Sequence, residues 1–452
     1  MITAQNLDQR YLEFAANTRR VFERFPQLEP LRHFIFRELL VQPRPFGWRE
    51  SAKQWLRPLI RRGRTTGVLR PCDILIWIEG TREVIRESLL PVFHELTSRG
   101  ENVRLVSMNG PADLPSSSVT LRFPSVFFLP DWTKQAWGAL CQAEKNLAKP
   151  TLTRSFFNAC ADVQGLLNEV DQILDATKPR VVVTASTQLI GGAALLVSAQ
   201  AKQMRTVLLQ HGVLQPFYIP MLADRMCTWG RSSSETLTSL GTDYRRLEAL
   251  GSPRHDAMRP APGGQAKREL LRSLSLEDRP TITFFSNGND LSRNGSAPGE
   301  CVRWLEAAAE RYRDRINIIV RLHPNEDGSL YRPTSHLVVT KDCPEFALLL
   351  DGSDCVASLC STAMLDALLY HKPVWHFHAD GWPELATNWQ EGLAQRIGSA
   401  NQLCAMIEQV LQGKALQDRS HHLAETVFVN HGRATQAVAD FLVAQADICA
   451  AM

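Results

Sequence analysis

The sequence predicts an α/β protein built from two doubly wound domains, each a parallel sheet with helices on both faces. Short runs of β-branched and apolar residues alternate along most of the chain with amphipathic helical segments, which is typical of repeated strand–helix–strand units. One stretch rich in Gly, Pro and Ala, residues 260–265, interrupts this alternation. A length of 452 residues also exceeds what one hydrophobic core normally supports, so two domains are expected.

The composition limits which partners the protein is expected to bind and where in the cell it is expected to reside. Lys and Arg number 50 against 47 Asp and Glu, and a net charge of +3 gives no general case for nucleic-acid binding. The 10 cysteines have no zinc-ligand spacing, and no P-loop, GxGxxG or HExxH motif is present, so we expect neither a metal nor a cofactor. Residues 1–20 are polar and mixed in charge, which predicts a cytoplasmic protein without a signal peptide.

Residues 1–69 form a predicted helical extension whose second half is strongly basic. Its basic residues interleave with aromatic and aliphatic ones, and Glu50 is the only acidic residue among them. Such a segment suits the surface of an anionic membrane, and the alternative is a solvated face whose aromatic side chains pack on a domain. The basic residues are Arg44, Arg49, Lys53, Arg57, Arg61, Arg62, Arg64 and Arg70.

The first predicted domain covers residues 70–259. Its strands are expected at residues 74–78, 103–106, 181–184, 206–209, 226–230 and 247–250. In a doubly wound sheet, ligands bind at the carboxyl ends of the strands. Glu79 follows the first strand and His211 follows the fourth, and Asp224 is taken as a third candidate facing the same crevice.

The second predicted domain covers residues 260–433, and residues 434–452 form a closing C-terminal helix. Its strands are expected at residues 281–285, 316–320, 337–340 and 355–357. Three of these strands lead into polar groups, which are Ser286, Asn287 and Gly288; Arg321, His323 and Pro324; and Ser361 and Thr362. The Ser-Thr pair begins a helix, where hydroxyls, backbone N–H groups and the helix dipole favour a phosphate. The alternatives are an ordinary turn at His-Pro and a simple N-cap at Ser-Thr.

Several motifs, in this order along the chain, resemble those of GT-B glycosyltransferases that assemble bacterial capsule, lipopolysaccharide and teichoic acid. The resemblance covers roughly residues 70–435. Its motifs are Gln210-His211-Gly212, Ala223-Asp224 with Trp229-Gly230, Gly251-Ser252-Pro253-Arg254 with Asp256, Arg321-Leu322-His323-Pro324, Ser361-Thr362 and Asn430-His431-Gly432-Arg433-Ala434. The His-Pro and Ser-Thr pair in particular is similar to the cytidine-nucleotide motifs of bacterial sialyltransferases, polysialyltransferases and Kdo transferases.

This resemblance implies a CMP-sugar donor, a glycan or glycolipid acceptor, two domains facing a cleft, and peripheral residence at the inner face of the bacterial inner membrane. It also implies that His323, Ser361 and Thr362 contact the cytidylate. The remaining candidates for the nucleotide site are Arg321, Pro324, Ser286, Asn287 and Gly288.

Transfer also needs a group that accepts the proton of the acceptor hydroxyl. We rank His211 first as this base, with Asp224 orienting it or acting as a nucleophile, and Glu79 as a further candidate. Glu79-Gly80 is all that corresponds to the acidic signature of sialyltransferases, whereas His211-Gly212 resembles a motif of teichoic-acid glycerophosphotransferases. The alternatives are therefore a CDP-glycerol-type phosphotransferase, a nucleotide-sugar 2-epimerase of the same fold, and a catalytically silent subunit.

Overall fold

The computed structural model of the protein describes residues 4–41, 68–79, 83–108, 119–121, 129–287, 297–324, 326–341, 343–380, 382, 392–414 and 423–451. Most of the basic stretch and Gly288 lie outside the described residues, so what the sequence predicts for them stays a prediction. None of the helices in the described ranges is both long and apolar enough to cross a bilayer.

The chain divides into two units, and each unit contains one parallel sheet. The first unit comprises Arg10–Asp256 together with Phe428–Met452, and the second comprises Ala257–Val427 together with Met1–Gln9. The prediction of two doubly wound α/β domains is confirmed, because every strand pairing in both sheets is parallel and helices connect the strands.

Seven strands form the sheet of the first unit, in the order β3-β2-β1-β4-β5-β6-β7. The central strands are buried along almost their whole length, which explains their continuous runs of Val, Ile and Leu. The strands are β1 Ile74–Glu79, β2 Val103–Met108, β3 Val119–Leu121, β4 Val181–Thr184, β5 Arg205–Leu209, β6 Arg225–Thr228 and β7 Leu247–Ala249. The order reverses between β1 and β4, so the connections on either side of this point run in opposite directions.

Among the described residues, six helices precede or connect these strands. They are α1 Ala4–Arg24, α2 Glu83–Ser98, α3 Trp132–Ala143, α4 Pro150–Thr177, α5 Ile190–Ala201 and α6 Arg231–Ser239. After α1 the chain continues in short helical turns at Pro26–Leu31, Arg32–Phe34 and Ile35–Val41.

Residues 10–41 pack against the helices of the first unit. The turn at Pro26–Leu31 lies against α4 and α5. Tyr11, Phe14 and Phe36 are buried together, with ring centroids 5.1 to 6.3 Å apart. The Tyr11 hydroxyl also donates a hydrogen bond to the carbonyl oxygen of Ile219 at 2.8 Å. This part of the predicted extension is therefore bound to the first unit by an aromatic core.

Six strands form the sheet of the second unit, in the order β10-β9-β8-β11-β12-β13. They are β8 Thr281–Phe285, β9 Asn317–Arg321, β10 Leu337–Thr340, β11 Cys355–Ser358, β12 Val374–Phe377 and β13 Gln395–Ile397. The helices are α7 Gln265–Ser273, α8 Ala297–Arg311, α9 Phe346–Gly352, α10 Ala363–Leu369 and α11 Ala400–Leu411. The strand order is the same as that of the first six strands of the other sheet, and it reverses between β8 and β11.

The last helix, α12 (Ala434–Ala451), belongs to the first unit and packs on α2. The Asp256 carboxylate accepts the N–H groups of Ala434 at 3.0 Å and Thr435 at 2.7 Å, at the start of this helix. Gly251 has a φ of 96°, and a Cβ there would lie 2.2 Å from the carbonyl oxygen of Val429. Two of the sequence motifs thus contain residues that fasten α12 to the first unit.

We expect Asp256→Ala to destabilise the protein by about 1 to 2 kcal/mol, because it leaves the first N–H groups of α12 without their acceptor. The measurement is the melting temperature, with Asp243→Ala as the control at an exposed aspartate whose partner in the described part of the chain is its near neighbour Arg245. Equal melting temperatures for the two variants would contradict this account of the motif.

Candidate functional site

The point where the second sheet reverses its order is fixed by Asn287. Its side-chain oxygen lies 3.1 Å from the hydroxyl of Ser358 and accepts the N–H of Cys360 at 3.0 Å. These bonds join the chain leaving β8 to the chain leaving β11. Open α/β sheets bind ligands in the crevice at such a reversal, outside the carboxyl ends of the strands. Asn287, a predicted nucleotide residue, thereby contributes to the shape of this edge.

Ser361 and Thr362 follow β11 at the same edge, as the sequence predicts. The Ser361 hydroxyl oxygen accepts the N–H of Ala363 at 3.2 Å, so it caps the start of α10. Thr362 makes no such side-chain cap and is half-buried. The Ser361 hydroxyl therefore orders the loop, and the Thr362 hydroxyl lies beside it at the edge of the sheet.

His323 lies in a loop after β9 that a buried carboxylate holds in place. The backbone N–H of His323 lies 2.8 Å from the Ser286 hydroxyl oxygen and 2.9 Å from Oε2 of Glu326. The Ser286 hydroxyl donates to the same carboxylate, and Glu326 is 2 % exposed. Lys341 donates to the carbonyl oxygen of Glu326 at 2.8 Å. The structure thus brings Ser286 and His323 together through a residue that sequence reasoning missed.

Glu326 follows His323 in a polar turn, and nothing in that pattern distinguishes it from a solvated residue. The buried carboxylate determines whether the neighbouring Ser286 hydroxyl is available to a ligand. The hydroxyl of Ser286 is hydrogen-bonded to a carboxylate, which repels a phosphate, so this serine orders the loop. Among the predicted nucleotide residues of these loops, His323 and the Ser361-Thr362 segment remain the candidates for contact with an anion.

Arg321 and Pro324 also lie at the carboxyl end of β9. The Arg321 side chain is half-buried and donates to the carbonyl oxygen of Pro344 at 3.3 Å. Pro324 is exposed in the turn after His323. Gly288, the remaining predicted nucleotide residue, lies outside the described part of the chain.

The His323 ring has a pKa below the ordinary histidine value, first because the ring is partly buried and second because of the nearby Lys341 ammonium. Burial disfavours the charged form, and the neighbouring cation adds repulsion. Both effects favour the neutral ring. A phosphate group beside it would oppose both effects and favour the imidazolium.

Glu79 ends β1, at the point where the first sheet reverses its order. Its carboxylate accepts the N–H of Gly192 at 2.8 Å, in the first turn of α5. A Cβ on Gly191 would lie 2.7 Å from the same carboxylate oxygen, so a larger residue there would displace the Glu79 side chain. The carboxylate therefore lies at the start of α5, at the positive end of the helix dipole.

His211 follows β5 at the same edge of the first sheet. Its ring nitrogen Nδ1 lies 3.2 Å from the hydroxyl of Tyr218, which is buried. The preceding residue, Gln210, accepts the N–H of Trp229 with its side chain and the indole N–H with its carbonyl oxygen, both at 2.9 Å. These two hydrogen bonds hold the backbone next to His211 in place.

The structure corrects the predicted position of Asp224. It precedes β6 and accepts the N–H of Thr206 at 2.9 Å and the Thr206 hydroxyl at 2.8 Å, near the start of β5. Asp224 is therefore at the amino edge of the sheet, and His211 is at the carboxyl edge. Five residues of β5 span roughly 16 Å, so Asp224 does not orient the ring. Glu79 and His211 share one edge, two strands apart, a separation of roughly 10 Å.

Comparison with known proteins shows similarity of fold. No protein-family model matches the sequence, and no curated protein matches it. Among solved structures, the chain is similar to the UDP-GlcNAc 2-epimerase of Methanocaldococcus jannaschii, at 14% identity over 82% of this chain and 99% of that one, with a TM-score of 0.54. A putative UDP-N-acetylglucosamine 2-epimerase of Listeria monocytogenes is similar at 12% identity over 81% and 94%, with a TM-score of 0.53.

A wall teichoic acid polymerase, TagF, matches at 13% identity over 89% of this chain and 98% of that one, with a TM-score of 0.49. The two epimerases and the strand orders described above support a GT-B-like two-domain α/β fold for this chain.

We expect His323 to titrate below its ordinary pKa of about 6.5, and we expect Lys341→Met to raise its pKa. The unfolded chain then binds the proton more readily, so His323 reduces the stability of the fold as the pH falls from about 6.5 through the folded-state pKa. NMR titration of labelled histidines, with the signal assigned by its loss in His323→Gln, measures this. Lys341→Arg is the control that keeps the cation. A pKa at or above the ordinary value would contradict the account.

Proposed function

We propose that the protein is a metal-independent glycosyltransferase of capsule or lipopolysaccharide assembly. It would transfer a sugar, of the Kdo or sialic-acid-like ulosonic class, from a CMP-activated donor to a glycan or glycolipid acceptor. The observation that supports this most is the arrangement of the second sheet. His323 and Ser361-Thr362 follow β9 and β11, the strands on either side of β8, next to the reversal of strand order.

In this proposal the second unit holds the nucleotide. The His323 ring and the Thr362 hydroxyl contact the phosphate, and Ser361 keeps the start of α10 in place beside it. Three further residues have an indirect role, because they order the loops that carry these groups: Ser286, Asn287 and Glu326. Binding of the donor phosphate favours uptake of a solvent proton by the His323 ring, and the resulting imidazolium would stabilise the negative charge that develops on the leaving phosphate without a metal.

The transfer step requires a proton acceptor for the acceptor hydroxyl. The hydroxyl oxygen forms a bond to the anomeric carbon, the bond from that carbon to the phosphate oxygen breaks, and its electron pair leaves with CMP. The hydroxyl proton passes to a base of the first unit. Glu79 and His211 are the candidates at its carboxyl edge, and Asp224, at the amino edge, has no part in this proposal.

A second candidate function is nucleotide-sugar 2-epimerisation, because solved structures of this fold include UDP-GlcNAc 2-epimerases, one in complex with UDP-GlcNAc and UDP. Inversion at C2 breaks and re-forms a C–H bond. An epimerase incubated with UDP-GlcNAc in D₂O would therefore introduce deuterium at C2, and a transferase specific for CMP would not. The mass of the recovered sugar separates the two functions.

We expect CMP and CDP to raise the melting temperature more than UDP or GDP, since a ligand at a hundred times its Kd adds about 2.7 kcal/mol to the folded state. Thr362→Ala and His323→Gln should each reduce the shift given by CMP. Ser335→Ala, at an exposed position of the same unit, is the control and should not. Stabilisation by UDP alone would refute the cytidylate assignment, and an unchanged CMP shift in both site variants would refute the location.

We also propose peripheral contact with an anionic membrane through the basic segment within residues 42–67. Replacement of Arg57, Arg61, Arg62 and Arg64 by Gln should lower sedimentation with anionic liposomes at low salt, since each cation near such a surface contributes about 1 kcal/mol. Transfer to a soluble acceptor should be retained. Equal sedimentation of the variant and the unaltered protein would favour packing of this segment on the protein.

A further inference from the structure

The hydrogen bond between Tyr218 and His211 decides which nitrogen of the imidazole carries the proton. Nδ1 of His211 lies 3.2 Å from the Tyr218 hydroxyl oxygen. If Nδ1 accepts, the neutral ring has its proton on Nε2, and if Nδ1 donates, Nε2 is bare and can act as a base. The two possibilities give His211 opposite chemical roles.

The surroundings of the Tyr218 oxygen favour one of these possibilities. Burial raises the pKa of Tyr218, so the phenol keeps its proton at any physiological pH, and hydrogen bonds from the backbone of His211 and Gly212 oppose this effect only in part. A buried hydroxyl needs an acceptor for its proton. In the described part of the chain, the hydrogen-bond partner of the Tyr218 hydroxyl is Nδ1 of His211, at 3.2 Å. The phenol therefore donates towards Nδ1.

We propose that Tyr218 is a positioning residue that holds His211 in the neutral tautomer with the proton on Nε2. His211 then gives a hydrogen bond to an oxygen of the substrate and does not remove its proton. The role at a substrate rests on the proposed transferase function, whereas the tautomer does not. Within that function, the carboxylate of Glu79 becomes the base for the acceptor hydroxyl.

The N-terminal helices hold Tyr218 where this bond requires it. Phe217 and Ile219 flank Tyr218, and both contact Tyr11: the rings of Tyr11 and Phe217 are 4.7 Å apart, and the Tyr11 hydroxyl donates to Ile219. Tyr11 is fully buried, so this contact is part of a packed core. Residues 10–41 therefore support the loop that sets the His211 tautomer.

The direct test is nitrogen NMR of ¹⁵N-histidine in the full chain at about pH 8, well above the ordinary histidine pKa of about 6.5. The His211 signals are identified by their loss in His211→Gln. The inference requires one protonated nitrogen, at Nε2. Tyr218→Phe should convert this to a mixture of tautomers, whereas Tyr11→Phe, which weakens the loop but keeps the Tyr218 hydroxyl, should not. A proton on Nδ1, alone or in an imidazolium, would overturn the proposal.

A second measurement separates this inference from the proposed function. In His211→Gln the side-chain amide can still donate near the position of Nε2 but cannot act as a base. We expect its turnover to stay within about tenfold of the unaltered enzyme, with His211→Ala losing roughly 10²-fold or more. Equal losses in the two variants, once circular dichroism shows both folded, would indicate a lost base. If the enzyme transfers sugar from none of the CMP-sugars, the proposed function is refuted. The NMR measurement would still decide the tautomer.

Discussion

Parallel pairing of every strand determines which residues of this chain can act together. Each connection has to return the chain to the edge of the sheet at which every strand begins. All loops that follow strands therefore lie at the carboxyl edge, and all loops that precede strands lie at the amino edge. Glu79 and His211 share one such edge, and His323 and Thr362 share another. Asp224 differs from them because it precedes its strand, not because of its chemistry.

Carboxylates that accept backbone N–H groups fix the loops at these edges. Glu79 holds the start of α5, Glu326 holds the backbone of His323, and Asp256 holds the start of α12. Each bond satisfies a backbone N–H group at a helix start or in a loop. The side chains that remain to meet a ligand therefore project from backbone that is already ordered, which lowers the entropy lost on binding.

The sequence predicts most strands because central strands of a parallel sheet are buried on both faces. Residues 74–78 and 281–285 are apolar or β-branched throughout, and both form strands. The sequence does not predict the strands Val119–Leu121, Val374–Phe377 and Gln395–Ile397. The first and the last are short edge strands without an apolar run, and Val374–Phe377 is a buried strand of four residues that contains the polar His376. Glu326 could not be predicted either, because a carboxylate in a polar turn is normally solvated and only the fold shows it buried.

The placement of the nucleotide at the second sheet is the central claim, and hydrogen exchange followed by mass spectrometry tests it most directly. With CMP bound, we expect slower exchange in the segments 285–287, 321–326 and 358–364, which meet at the reversal of the second sheet. Slower exchange confined to the corresponding reversal of the first sheet, around residues 79 and 186–192, would contradict the account.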